Sequence, residues 1–294
     1  MRDNSPEKTP QTAPWMSFGT PLKMGLRSCD EADWLLEADY FGDAHALMNQ
    51  RAQKAALCEN HHDIIFKSTD DAQAASIELY QMIDDNLRRY HHQRLEINPK
   101  LHPLDNAARS LAEDLCLLAP SGEADNQKWI LKAASLAFPS HWSLDEKFNK
   151  PMGTIHNPVP DYDTHLENAV DRFFNKMMVG PISKRRNWTM QIDDALHTPH
   201  RLPTAPLLPQ NVGTRLHVRV ETQTLRKLPI TGWIIFTIRT AITPINRWAN
   251  DIDALHEMRA LLSDFGPAMR SYRGVESYEK QLHAWIDECT SKAG

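Results

Sequence analysis

The clearest periodicity in the chain lies between Leu216 and Leu225. There Leu216, Val218, Val220, Thr222 and Thr224 alternate with His217, Arg219, Glu221, Gln223 and Leu225. A period of two puts the two sets on opposite faces of a strand. Pro229 and Gly232 then mark a turn, and Trp233–Ile242 supplies a second apolar strand, so the pair predicts an antiparallel hairpin with a slightly long loop. Helical spacing dominates elsewhere. Ala75, Leu79, Ile83 and Leu87 fall four apart between Asp70 and Tyr90, with Asp70 and Asp71 suited to a first turn, and predict a helix. Helices are also expected in Ala44–Cys58, Asn106–Leu115, Leu166–Met178, Asp251–Leu262 and Ser277–Ile286. Ile64-Ile65-Phe66 predicts a short strand, and Trp129–Phe138 a longer one that ends at Pro139. Ser143 and Glu146 have the spacing of a capping box at the start of a short helix. Pro158 and Pro160 make 155–160 a rigid loop. The four prolines of His197–Pro209 predict an extended connection, and the polar residues 1–14 a disordered tail.

Helices come first, then strands, then short helices and a hairpin. That order lacks βαβ alternation and predicts an α+β fold with an antiparallel sheet. A chain of 294 residues buries roughly three quarters of its unfolded surface, so its core needs no disulfide or metal staple. With 41% hydrophobic and 24% charged residues, a disordered, collagenous or coiled-coil chain is excluded. No apolar run approaches the roughly 20 residues of a bilayer span; the most apolar stretch, Ile234–Ile238, stops at Arg239. The N-terminus has no apolar signal-peptide core. A net charge of −5 argues against nucleic acid as a partner. Lys184-Arg185-Arg186 reads as a solvated loop or a local anion site. Cys29, Cys58, Cys116 and Cys289 have neither zinc nor disulfide spacing, which suits a reducing cytoplasm. Glycine-loop nucleotide sites and the nucleophile elbow are missing from the sequence.

Several residues are candidates for chemistry. His156 precedes the double-proline loop, and a rigid, neutral imidazole there suits an axial iron ligand; it suits equally a hydrogen bond to a nearby carbonyl. Arg219, Glu221 and Gln223 share one strand face, with Arg239 on the partner strand. They form either the wet side of a half-buried sheet with cross-strand ion pairs or a pocket wall in which Glu221 holds an ammonium. Arg185 and Trp188 form either a carboxylate grip beside an indole that packs on an apolar ring or a basic loop anchored by one buried Trp. His141, in the turn Phe138-Pro-Ser-His-Trp142, is a ligand or a packing residue. Tyr162 is a hydrogen-bond donor to a bound ligand or a packing residue. The pairs His61-His62 and His91-His92 lack metal-ligand spacing.

Six motifs, in order, resemble one known family. They are Phe138-Pro-Ser-His-Trp142, Ile155-His-Asn-Pro-Val-Pro160, Asp171-Arg-Phe-Phe174, Arg185-Arg-Asn-Trp188, Val220-Glu-Thr-Gln-Thr-Leu-Arg-Lys-Leu-Pro229 and Phe236-Thr-Ile-Arg239. The chain resembles the haem-binding alpha subunit of the haem-dependent oxidative N-demethylases from about Trp15 to about Ile286. The resemblance implies a single PAS-like domain over 15–294: an antiparallel sheet with helices over one face, haem b between them, and additional N- and C-terminal helices. It implies oxidative N-demethylation of a secondary amine such as dimethylamine by dioxygen, giving a primary amine and formaldehyde. Electrons come from NADPH through separate subunits carrying FMN and an iron–sulfur cluster. His156 becomes the metal ligand; Arg185, Trp188, Arg219 and Arg239 become cofactor contacts; Glu221, Tyr162 and Gln223 become the catalytic candidates. Two positions depart from the family pattern: Thr222 stands where it has Arg, and His141 where it has Gly or another small residue. The competing readings are a PAS-type haem sensor or redox-binding protein without turnover, and a structural subunit that has lost haem. The first lacks an output domain or coiled-coil linker in this sequence, and the second is opposed by the presence of His156.

Overall fold

The computed structural model describes residues 12–18, 25–35, 44–122, 127–156, 167–201 and 204–293. Among them runs one seven-stranded antiparallel sheet: β1 Arg27–Cys29, β2 Phe66–Ser68, β3 Asp114–Ser121, β4 Lys128–Ser135, β5 Ile182–Ile192, β6 Leu216–Lys227 and β7 Ile234–Pro244. The spatial order is β1-β5-β6-β7-β3-β4-β2. The expected hairpin is β6–β7, in continuous register from His217 opposite Pro244 to Lys227 opposite Ile234. The α+β class follows the sequence reading, and the sheet is larger than the sequence pattern alone outlined.

The two faces of the sheet are covered differently. On one face the helix Gln73–Asn86 lays Ala75, Leu79 and Ile83 against Leu115, Leu117 and Ile235. Burying each such Leu or Ile stabilises the fold by about 1.5–3 kcal/mol. Further along this face, Val218 and Val220 of β6 meet Trp15, Trp248 and the helices Ile252–Asp264 and Glu279–Ala293. The other face carries Leu118, Leu131, Phe236 and Ile238 beneath the short helices Leu144–Lys147, Met152–His156 and Glu167–Lys176. The capping box of the first of these forms as expected between Ser143 and Glu146.

Several local expectations are corrected. Residues 182–192 are a strand of 11 residues, not a basic loop: Ile182, Trp188 and Met190 are buried, and Arg185, Asn187 and Thr189 face a cavity. The helix expected in 106–115 spans Pro103–Arg109, and β3 begins at Asp114. Ile64 and Ile65 end a single helical turn, His62–Ile65, with the strand following it. Ala13, Pro14 and Trp15 are buried, so the chain already packs at the end of the polar N-terminal segment; residues 1–11 lie outside the described residues.

Candidate active-site cavity

β6 is the spine of the site. Its register places Arg185 of β5 beside Gln223, Asn187 beside Glu221 and Thr189 beside Arg219. Arg185, Asn187, Thr189, Glu221 and Gln223 line a cavity of about 740 Å³, roofed by Met152, Ile155, His156, Phe173 and Phe174. Leu118, Leu131, Phe236 and Ile238 make its sheet wall apolar. A volume of this size, mostly apolar with a few convergent polar groups, is typical of small-molecule and cofactor sites.

Among the described residues two imidazoles line the cavity, His141 and His156. His156 ends its helix, and its Nδ1 lies 2.9 Å from the Met152 carbonyl oxygen one turn back. Nδ1–H therefore donates to that carbonyl, and Nε2 carries the lone pair. Burial lowers the His156 pKa, the Met152 bond opposes this, and the charges of Arg185 and Lys147 lower it further. The result is an oriented, neutral imidazole. His141 sits at φ 59° in the left-handed region, with its backbone N–H donating to the Thr198 carbonyl at 2.7 Å. This conformation favours glycine, which fits the small residue of the family pattern at that turn. Burial and the charges of Arg201 and Arg219 push the His141 pKa down to about 4.

Glu221 is anchored from both sides. Arg219 Nε donates to Oε1 at 3.2 Å and Gln223 Nε2 donates to Oε2 at 3.0 Å. Arg219 is fully buried, and its remaining nitrogens donate to the carbonyls of Leu196 and Phe138 and to Thr240 Oγ1. It is not part of the cavity lining. The expected cofactor contact at Arg219 is replaced by a guanidinium that holds Glu221 and ties it to the turn carrying His141.

Two further expectations are corrected by strand parity. Arg239 stands opposite Thr222 in the β6–β7 register, on the face away from the cavity. There it pairs with Glu113, each side chain 3% exposed. Trp188 stands opposite Val220 on that same far face, in ring contact with Trp15 at 5.8 Å and beneath the Arg273 guanidinium at 5.2 Å. Neither lines the cavity. Thr222 also faces away, so the departure from the family pattern at 222 leaves the lining untouched. Tyr162 and the Asn157–Pro160 loop lie outside the described residues.

Arg201, Tyr272 and Arg273 also line the cavity and were not singled out in the sequence. Arg201 lies in the proline-rich connection. Tyr272 and Arg273 end an unexpected helix, Pro267–Arg273, whose signals were Pro at its first position and Gly274 just past its end at φ 64°.

Fold and cavity together define an α+β protein with a largely apolar cavity that, among the described residues, is lined by His141, His156 and the carboxylate of Glu221. Residues 85–283 match the family described as haem-dependent oxidative N-demethylase, alpha subunit-like, and the chain belongs to that family. The family description carries oxidoreductase chemistry and haem dependence. Among the described residues no helix is long and apolar enough to cross a membrane. The cavity residues fit a haem: an apolar wall for a flat macrocycle, a neutral imidazole for iron, and the cations Arg185 and Lys147 beside it for acidic side groups.

Proposed function

We propose that the cavity holds haem b through His156 Nε2, in a PAS-like arrangement between sheet and short helices, and that the protein oxidatively demethylates a secondary amine. The observation that carries this reading is the His156–Met152 bond at 2.9 Å, in a cavity that also presents the anchored carboxylate of Glu221. A ligand imidazole is commonly fixed by its second nitrogen in this way.

The overall change consumes the amine, dioxygen, two electrons and two protons, and yields a primary amine, formaldehyde and water. Bound haem supplies the dioxygen activation. Arg185 and Lys147, which line the cavity beside His156, would hold the acidic groups of the cofactor. Glu221 orients the substrate ammonium and takes its proton, as amine oxidation requires. Arg219 and Gln223 keep both carboxylate oxygens in place, so that the acceptor is preorganised. Electrons arrive from NADPH through separate subunits carrying FMN and an iron–sulfur cluster, which agrees with a sequence that has neither a dinucleotide motif nor a cysteine cluster. Its free, dispersed cysteines fit a reducing cytoplasm.

The test is the absorption spectrum of the full chain purified from haem-replete cells, oxidised and reduced. The expected result is a Soret band that shifts on reduction and shifts again with dimethylamine. A Soret band indifferent to amines would move the reading to a haem sensor; no band after reconstitution would remove the cofactor assignment.

A further inference from the structure

The charges around the cavity are unevenly placed. Among the described residues Lys147, Arg185, Arg201 and Arg273 line it, against the carboxylate of Glu221. These cations fall into two groups. Lys147 and Arg185 act electrostatically on His156. Arg201 and Arg273 gather instead around Tyr272, where Glu221 also acts. One Arg201 nitrogen donates to the Tyr272 carbonyl, and Arg273 Nη1 donates to the Trp188 carbonyl at 3.1 Å. Trp188 follows Asn187, the β5 neighbour of Glu221. Arg185 lies three residues before Trp188, roughly 10 Å along the strand. The cations beside His156 suffice for the two acidic groups of a haem. The two guanidiniums at the Glu221 end remain in excess.

A bare dialkylammonium brings only positive charge to that end, so its attraction to Glu221 is opposed by Arg201 and Arg273. A zwitterion resolves the conflict: its ammonium meets Glu221 and its carboxylate meets a guanidinium, whose planar fork matches carboxylate geometry. Arg201 is the better placed of the two. It is exposed at the cavity mouth, whereas Arg273 is stacked over the rings of Trp188 and Phe265.

We infer that the Glu221 end is a two-point site for an N-methylated amino acid, with the substrate ammonium on Glu221 and its carboxylate on Arg201. This rests on the amine-oxidation reading above and names its substrate class. In the reaction, a methyl C–H becomes C–O and the methyl C–N bond breaks. Dioxygen is reduced with two electrons from the reductase subunits, and N-methylglycine yields glycine, formaldehyde and water.

The test compares N-methylglycine with dimethylamine, which differ by one carboxylate, as ligands of the haem-loaded chain, by calorimetry and by Soret shift. The expected result is at least a tenfold tighter Kd for N-methylglycine, a preference that collapses in Arg201→Met while haem content is retained. Equal or tighter binding of dimethylamine by the unmodified protein overturns the two-point site and leaves the amine reading standing. Loss of haem from Arg201→Met assigns Arg201 to the cofactor and also overturns it. If neither ligand binds a fully haem-loaded chain, the amine reading falls as well.

Discussion

Two arginine–glutamate pairs lie on neighbouring strands of the same sheet and have opposite consequences. Arg239 and Glu113 meet on the closed face, each 3% exposed, beside the buried pair Lys54–Asp114 at 3.3 Å. Arg219 and Glu221 meet on the cavity face, where the arginine is fully buried and the glutamate 17% exposed. The closed pair gives both charges to each other and to the core. The open pair spends its arginine on backbone carbonyls and leaves its carboxylate facing a cavity. The same residue types make a structural lock in one place and a reactive group in the other, and the difference is access rather than identity.

Substitutions can break or sharpen that contrast. The largest expected effect lies at His156: His156→Ala is expected to purify with little or no haem, because it removes the imidazole that the Met152 carbonyl orients. Full haem occupancy with an unchanged spectrum would eliminate His156 as the ligand. On the closed face, Arg239→Met leaves Glu113 buried without its guanidinium and is expected to cost about 3–5 kcal/mol, read as a drop in the urea midpoint. A cost below about 1 kcal/mol would show that the closed pair is not a lock.

Glu221→Gln is expected to behave the other way. Haem content stays near that of the unmodified protein, while amine turnover falls about a hundredfold, within the range of lost acid–base catalysis. Unchanged turnover would remove Glu221 from the chemistry. The smallest effect is expected at His141. His141→Gly relieves a left-handed conformation and gains about 1 kcal/mol. It also flattens the acid side of the stability curve. In the unfolded chain a histidine titrates near about 6.5, whereas His141 in the fold is pushed down to about 4. As pH falls between those values the unfolded state takes up the proton first, so the unmodified protein loses stability there. A His141→Gly variant with an equally steep loss over that window would exclude His141 as a source of it.

Much of the site was legible because β6 alternates so cleanly. Glu221 and Gln223 could be assigned to one face from parity alone, and the capping box at Ser143 from spacing alone. β5 was not legible. Arg185, Asn187 and Thr189 face a cavity, and Lys184 and Arg186 put polar, unburied residues on the opposite face as well, so the strand lacks the apolar alternation of a half-buried sheet and reads as a basic loop. Arg239 and Trp188 were misplaced for a related reason: parity within one strand says nothing about which face of the neighbouring strand is shared until the register is known. Arg201, Tyr272 and Arg273 left no periodic signal, since they reach the cavity from a connection and a helix end.

By itself, the sequence determined the fold class, the β6–β7 hairpin, the family and the identity of the two groups on which the proposal rests, His156 and Glu221. These follow from local rules: side-chain period, turn residues and ordered motifs. The tertiary structure decided which of the described arginines face the cavity, that Arg219 holds Glu221 rather than lining the cavity, and that cations outnumber carboxylates among the described lining residues. Those are matters of strand register and of segments distant in sequence meeting in space, which no local pattern encodes.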